Sequence, residues 1–408
     1  MRQSTDSTST STAAGCACDG VDSRPLAAIA AGVALGAAAG YNIANLGPAA
    51  DVLADHYDVR LGAIGFLTTA LFFTHLVMQI PGGRRVDKRG ARTWGIVALA
   101  IVAAGNVLAL LLPWFAGAFA GRFVAGFGTG IAFVAGSEYV RATVGTAGAQ
   151  GIYGASGVGG GGLALAVVPL AVPGLDWRAP YVTALVCAGL VLLALPFAPR
   201  DRRPGERPRP DRAGVADIVR DRRLYPLAAA HTASFGLSVI VGTWAVSLLQ
   251  HDGYSRRLAG AVAALVLLGG IVTRPLGGRI LQRRPEQAAH LLGVSMLLGA
   301  AGTVLLLLDI PLAVRIAGAA LLGLAAGIPF AAAFAGAQAL RPDAPGAAVG
   351  FVNSCATFLI LVGAPLVGFT FALPGHGRAG FVAIAVLWAL AWLAVRPSRL
   401  VLTASPSS

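Results

Sequence analysis

The chain has 408 residues, of which 56% are hydrophobic and only 12% are charged, and its mean hydropathy is +0.73. These values exclude a water-soluble globular protein, in which about a quarter of the residues are charged. The net charge of +13 leaves two explanations, a nucleic-acid partner or a membrane topology signal.

Apolar runs of about 20 residues follow one another along the chain, and each is long enough to cross a hydrocarbon core about 30 Å thick. The fold class is therefore an all-α integral membrane protein. The runs predict about twelve transmembrane helices, near residues 26–48, 62–80, 94–112, 114–136, 150–172, 179–197, 225–248, 258–280, 287–308, 312–338, 345–372 and 379–396.

Polar segments divide the chain. Residues 1–24 are rich in Ser and Thr and lack an apolar run, which predicts a disordered tail and no signal peptide. The long polar stretch at 198–224 separates the spans six and six. The predicted domains are a six-helix bundle at 25–197, a linker at 198–224, a second six-helix bundle at 225–396 and a tail at 397–408.

The basic residues predict the orientation. With both termini inside, 23 of the 31 Lys and Arg residues lie in segments on the inner side, and basic residues favour the cytoplasmic side of short loops. Both termini and the linker are therefore predicted to be cytoplasmic. The positive charge is then a topology signal, and no nucleic-acid partner is expected.

Two motifs occur once in each half. The segment PGGRRVDKRG pairs Gly83 with Gly278 of PLGGRILQRR at an offset of 195, and GFGTGIAF pairs Gly126 with Gly323 of GLAAGIPF at an offset of 197. Nearly equal offsets indicate a duplication, and parallel six-helix repeats are a known transporter plan.

The first of these motifs resembles the loop signature of the major facilitator superfamily, with Arg85 and Val86 departing from the usual pattern. The fourth span (GRFVAGFGTG) and the segment DWRAPY resemble further signatures of that family. The matching loop residues are Gly83, Asp87, Lys88, Gly90 and Arg92. The resemblance runs from about residue 26 to 396. It implies the twelve-helix fold of two pseudo-repeats and a transporter working by alternating access.

The resemblance also implies that this loop latches the two halves on the inner side. A carboxylate is stabilised by the free amides at the start of a helix, so Asp87 is expected to accept bonds from the eleventh span near Gly346. Arg92 is expected to pair with Glu138 at the end of the fourth span. The alternative is that the basic residues serve topology alone, although topology does not require Asp87.

The fifth span is rich in glycine, which lets transmembrane helices approach closely and slide. Gly154, Gly157 and Gly162 are the candidate gating glycines. Static packing is an equally open interpretation for any one of them.

Polar residues within spans are costly and are functional candidates by default. The candidates for the substrate cavity are Arg274, Arg122, Gln79, His75, His231 and Asn353. The resemblance associates Arg122 with coupling, against a structural bond to helix carbonyls, and both histidines are either neutral core residues or proton carriers. Arg315, near the outer end of its span, is expected to extend to the interface.

Arg274 is the sharpest indication of a substrate, because a guanidinium in the membrane suits a small oxyanion. Nitrate and nitrite porters of the family carry an arginine in this setting, but Gln79 and Gly160 depart from their pattern.

The sequence predicts a solute transporter that is not an enzyme and has no cofactor or metal site, since no catalytic or metal-ligand motif has its required context. The expected partners are a small or ionic solute, with or without a coupling ion, and the lipid bilayer, and the expected state is a monomer. A small-anion porter, a drug or metabolite exporter and a membrane sensor remain alternatives.

Overall fold

The computed structural model describes residues 24–59, 61–201 and 214–395. The two predicted tails, apart from Arg24, and residues 202–213 of the linker lie outside these ranges. The described chain is almost wholly helical and contains no strand. This confirms the predicted all-α fold class.

The helices, in chain order, have the following bounds: α1 Arg24–Ala44, α2 Ala50–Tyr57, α3 Leu61–Arg89, α4 Ala91–Leu111, α5 Phe115–Thr143, α6 Ala147–Leu175, α7 Ala179–Ala194, α8 Val215–Arg220, α9 Tyr225–His231, α10 Ser238–His251, α11 Arg256–Arg283, α12 Ala288–Leu307, α13 Leu312–Gly327, α14 Pro329–Leu340, α15 Pro345–Phe369 and α16 Arg378–Ala394. A π-helical segment, Thr232–Leu237, joins α9 to α10.

Ten helical stretches of the described residues are long and apolar enough to cross a membrane. One of them, Ala147–Phe197, contains both α6 and α7, and α16 is a shorter apolar helix. Counted separately, these give the twelve predicted helices among the described residues. Helices are the expected solution, because lipid offers the backbone no hydrogen-bond partners.

The second and eighth helices extend beyond their apolar runs. The predicted spans end at residue 80 and residue 280, whereas α3 continues to Arg89 and α11 to Arg283. Gly90 ends the first of these helices because its φ of 97° is a conformation that favours glycine. The family-like motif therefore lies largely on the last turns of α3, where its side chains have fixed directions.

The helices form two bundles. In the first, α5 packs between α3 and α4, and α1 packs on α6; in the second, α13 packs on α11 and α12, and α16 packs on α12. The bundles meet along two helix pairs, α3 with α15 and α6 with α11. We call these contacts the α3–α15 seam and the α6–α11 seam.

The two seams are built alike. A Cβ atom added at Gly83 would overlap the carbonyl of Gly346, and one added at Gly278 would overlap the carbonyl of Ala147. One turn away, Gly350 touches the carbonyl of Gln79 and Gly151 touches the carbonyl of Arg274. Gly83 and Gly278 are 195 residues apart, as are Gln79 and Arg274, so the contacts follow the repeat seen in the sequence.

Both seams lie at one end of the molecule, where α3 and α11 finish and α6 and α15 begin. We call it the linker end, because the linker attaches here through Asp201, which accepts from the amide of Ala91 in α4. Three further contacts join the bundles at this end: Asp87 accepts from amides of α15, Gln338 in α14 donates to Ser137, and Gln338 accepts from Gln150. The described conformation is thus closed at the linker end.

Candidate functional site

Arg274 lies between the two bundles, with its side chain 5% exposed. Its Nη1 donates to the carbonyl of Gly154 in α6, and its guanidinium carbon lies 4.8 Å from the ring centre of Phe330 and 5.4 Å from that of Phe235. Its Nε has no hydrogen-bond partner, and none of the ion pairs among the described residues involves it. A buried cation is costly without an anion, so this arrangement suits an anionic ligand.

His231 is the last residue of α9, next to the π-helical segment. Its Nε2 donates to Oδ1 of Asn353 in α15 at 3.1 Å, while its Nδ1 is buried without a partner. Its ring lies 4.9 Å from that of Phe334, and Phe235 and Phe330 contact it as they contact Arg274. Short π-helical segments occur frequently at functional sites. We call this group the central cluster: Arg274, His231, Asn353, Phe235, Phe330 and Phe334.

His75 and Gln79 form a second polar group, in α3 of the first bundle. The amide nitrogen of Gln79 can only donate, so at 2.6 Å it donates to Nε2 of His75, and Nδ1 of His75 carries the proton that bonds Oγ1 of Thr129 at 3.0 Å. The Phe133 ring lies 6.2 Å from that of His75 and 5.9 Å from that of Phe334. Five of the six predicted cavity residues are thus joined through one set of aromatic rings.

Arg122, the sixth candidate, lies apart from the others inside the first bundle. Its Nη1 donates to the carbonyl of Asn42 at 2.8 Å and to Oδ1 of Asn45 at 3.1 Å, both at the end of α1. Its Nε and Nη2 are buried without partners. This geometry matches the structural interpretation, a bond to helix carbonyls, and gives no contact with the central cluster.

Asp87 makes the contact expected of it. Its Oδ1 accepts from the amide of Gly346 at 2.7 Å, and its Oδ2 accepts from the amide of Ala347 at 3.0 Å. The residue that precedes α15 is Ala344, whose side chain cannot cap a helix. A carboxylate of the first bundle therefore caps a helix of the second.

The expected pair between Arg92 and Glu138 is wrong. Arg92 donates to the carbonyls of Pro196 and Ala198, which end the segment after α7, and Glu138 forms a two-point salt bridge with Arg141 at 2.5 Å. The reason is proximity: Arg141 is three residues from Glu138 on one helix face. Arg92 instead meets free carbonyls at the end of the sixth span. Lys88 and Gly90 occupy the last turn of α3 and its end.

The three candidate glycines differ in their surroundings. A Cβ atom at Gly154 would overlap the Phe330 ring of the other bundle, whereas nothing lies within 4 Å of one added at Gly157 or Gly162. A Cβ atom at Gly160 would overlap the carbonyl of Ala37 in α1. Gly154 and Gly160 are therefore close contacts of α6, as is Gly151 against the carbonyl of Arg274, and of the three candidates only Gly154 is among them.

The sequence analysis also did not predict an ion network at the end opposite the linker. Arg315 is fully buried and pairs with Asp252 at 2.6 Å, and Asp252 also binds Arg378 at 2.6 Å. The expectation that Arg315 extends to the interface is therefore wrong, because a carboxylate from the end of α10 reaches it. A sequence signal existed, since Asp252 and Arg378 stand at predicted span ends.

A charged cluster fastens the second part of the linker to the second bundle. Arg341 pairs with Asp343 at 2.7 Å and with Asp221 at 3.6 Å. Hydrogen bonds from Arg341 hold the pKa of Asp343 below its usual value, and bonds from Arg223 do the same for the pKa of Asp221. Within the described residues, no group of three or more His, Cys, Asp or Glu is placed to hold a metal ion.

Known proteins similar to this chain are membrane transporters. A curated relative, "Probable sulfoacetate transporter SauU" of Cupriavidus necator, is 26% identical over 293 residues, which are 64% of this chain and 66% of that protein. The match thus spans just under two thirds of the relative's length.

Two solved structures share the fold. The human organic anion transporter MFSD10 (TETRAN) matches with a TM-score of 0.73 and 16% identity, over 91% of this chain and 99% of that one. The Escherichia coli fucose:proton symporter FucP matches with a TM-score of 0.70 and 14% identity, over 91% and 98%. The sequence model of the Major Facilitator Superfamily matches residues 32–364. The chain belongs to the Major Facilitator Superfamily, as its motifs predicted.

Proposed function

We propose that this protein is a secondary transporter that carries a small organic anion across the membrane by alternating access, and that the linker end faces the cytoplasm. The central cluster is the substrate site, and Arg274 is the residue that binds the anion. The latch is Asp87 with the amides at the start of α15.

Arg274 carries the proposal. Its guanidinium lies between the bundles, one donor is bound to a backbone carbonyl, and two phenyl rings cover it. An arginine kept in this place without a carboxylate has donors to offer a ligand that brings its own negative charge. A carboxylate or sulfonate group matches the planar fork of donors.

The two seams support alternating access. They consist mainly of glycine against backbone, so the bundles can separate there without unpacking large side chains. Opening at the linker end would free the carbonyl that binds Arg274, because Gly154 belongs to the first bundle and Arg274 to the second. The hydrogen bonding of Arg274 in the substrate site would then depend on which side of the transporter is open.

The curated relative supports the substrate class. The name of that protein states sulfoacetate, a small organic anion, as its substrate. An anion of this kind satisfies the charge requirement of Arg274, whereas a cationic drug would bring a second positive charge beside it.

Uptake into proteoliposomes tests the proposal. Wild type, Arg274→Lys and Arg274→Gln are compared with labelled sulfoacetate, acetate and nitrate, and with fucose as a neutral solute. Lysine keeps the charge but lacks the planar fork, so we expect KM to rise; loss of the charge from a desolvated pair costs about 2–5 kcal/mol, or at least about 30-fold in kcat/KM.

Arg220→Gln is the matched control, since Arg220 is an exposed arginine of α8. It should transport like wild type. Unchanged anion uptake by Arg274→Gln would exclude Arg274 from the site, and binding of an anion without uptake would indicate a sensor instead of a transporter.

A further inference from the structure

A cavity of about 430 Å³ lies at the linker end where α3 turns into α4, on the outside of the first bundle. Four of its lining residues are basic and none is acidic. The lining consists of Pro81, Arg84, Arg85, Lys88, Arg89 and Trp94. Four cations around one cavity repel each other, and an anion in the cavity would relieve that repulsion. Arg84 and Lys88 also have partners within the protein, so Arg85 and Arg89 are the residues on which the argument depends.

Trp94 adds a second, independent feature of a binding site. Its indole Nε1 is a donor that is buried without a partner. The guanidinium carbon of Arg85 lies 5.8 Å from the centre of its ring, and the indole also packs against the apolar cluster that contains Met78 and Ala98. Tryptophan in this position, with one side apolar and one side charged, is typical of the membrane interface.

The cavity continues into an apolar outer surface. Val77 lies one turn before Pro81 on α3 and is 49% exposed, and Val97 lies one turn after Trp94 on α4 and is 37% exposed. Further along α3, Phe73 is 50% exposed and its ring stacks on Phe123 of α5 at 6.3 Å. A molecule with a charged head in the cavity could therefore lay an apolar chain along the helices.

Membrane topology alone does not account for this arrangement. The corresponding turn of the second bundle carries Arg279, Arg283 and Arg284, which satisfy the same charge rule. At the offset of 195, however, the counterpart of Trp94 is Ala289, which has neither a ring nor a donor. The two repeats thus share the basic charge but not the tryptophan.

We infer that this cavity binds the phosphate group of an anionic phospholipid of the surrounding leaflet. Arg85 and Arg89 contact the phosphate beside the ring of Trp94, and the acyl chain lies against Val77, Val97 and Phe73. A free phosphate has the same head-group chemistry, but the apolar surface leading from the cavity favours the lipid. The site lies entirely within the first bundle and is separate from the central cluster.

Native mass spectrometry of the protein in a non-ionic detergent tests this inference. The protein is titrated with phosphatidylglycerol, phosphatidylcholine and glycerol phosphate, and bound molecules are counted. We compare wild type, Arg85→Gln/Arg89→Gln, Trp94→Phe and the matched control Arg279→Gln/Arg283→Gln, which removes the same charge from the other repeat. The two control arginines are exposed, as are Arg85 and Arg89.

We expect wild type and the control to retain phosphatidylglycerol in preference to phosphatidylcholine. A basic residue near an anionic lipid is worth about 1 kcal/mol, so the cavity variant should bind phosphatidylglycerol roughly 25-fold more weakly than the control. Trp94→Phe, which removes the donor and reduces the aromatic surface beside Arg85, should bind a few-fold more weakly. Equal binding by both double variants would overturn the site, and glycerol phosphate binding as tightly as phosphatidylglycerol would overturn the lipid as its ligand.

Discussion

Replacing Asp87 with asparagine tests the latch with the least change of shape. The carboxylate accepts one bond at each oxygen, from Gly346 at 2.7 Å and from Ala347 at 3.0 Å. Asparagine has one acceptor oxygen, so its amide group would face one of the two backbone N–H groups with a donor. The variant also removes a negative charge from the start of α15, where the helix dipole favours one.

The size of the effect follows from these two losses. A hydrogen bond to a charged group contributes about 1.5–3 kcal/mol, and a charge at a helix start about 0.3–2 kcal/mol. Water would solvate both partners when the linker end opens, so we take about 2 kcal/mol as the net loss. The population open at the linker end, relative to the closed one, should then rise about 30-fold.

Electron–electron distance measurements can follow this shift. Spin labels are placed at Thr93 in α4 and Glu286 before α12, two exposed positions at the linker end of the two bundles, after the four native cysteines have been replaced. In Asp87→Asn the longer distance should gain population, and transport in proteoliposomes should fall while the amount of protein in the membrane stays normal.

Asp55→Asn is the control, because Asp55 is an exposed acid of α2, at the opposite end of the bundles. It should leave both the distances and the transport rate unchanged. If Asp87→Asn gives the wild-type distance distribution and the wild-type rate, the cap does not hold the bundles together.

Three further predictions concern stability and packing. Gly154→Ala should reduce transport, because its methyl group would overlap a ring of the other bundle, while Gly162→Ala, with nothing within 4 Å, should transport normally in the same uptake assay. Asp252→Asn should destabilise the protein by about 3–5 kcal/mol in thermal unfolding, since it leaves a fully buried arginine with only the exposed carboxylate of Asp309 as an ionic partner; Asp309→Asn, at a carboxylate 86% exposed, should change stability by less than about 1 kcal/mol. The lowered pKa of Asp343 means that its ion pair stabilises the fold above the unfolded-state pKa, about 3.9, and that this contribution is lost as the pH falls through the lower folded-state pKa. The melting temperatures of wild type and Asp343→Asn should therefore differ at pH 7 and converge in acid. A difference that persists unchanged in acid would contradict this.

The helices and the Asp87 contact could be predicted because each depends on a short-range rule. A run of about 20 apolar residues has few alternatives to a membrane helix. A carboxylate that follows glycines at a helix end needs donors, and the start of the eleventh span offers free amides. The repeat offset paired Gly83 with Gly278, and the structure places these two glycines in the two seams, opposite Gly346 and Ala147.

The failed predictions depend on side-chain direction and competition between partners. Glu138 had two arginines within reach, and the sequence does not say that Arg141 would take both of its oxygens. The glycines of α6 look alike in sequence, yet Gly151, Gly154 and Gly160 closely approach neighbouring helices, whereas nothing lies within 4 Å of a Cβ atom added at Gly157 or Gly162. These choices are set by the rotation of each helix about its axis, which periodicity leaves open in a helix that is apolar on all sides.

The two seams are related by the repeat, but only one of them is fastened by a carboxylate at the linker end; the charge that crosses the other seam, Arg274 bound to the carbonyl of Gly154, lies two turns deeper. Asp87 holds the α3–α15 seam, whereas Gln282 occupies the equivalent place beside Gly148 in the α6–α11 seam. A neutral amide binds backbone N–H groups less strongly than a carboxylate does, so the α6–α11 seam should separate more easily than the α3–α15 seam at the linker end. We expect opening to begin along α6 and α11, with α3 and α15 serving as the hinge until the hydrogen bonds between Asp87 and the amides of α15 break. A symmetric scaffold would thereby acquire a preferred order of events from a single unmatched residue.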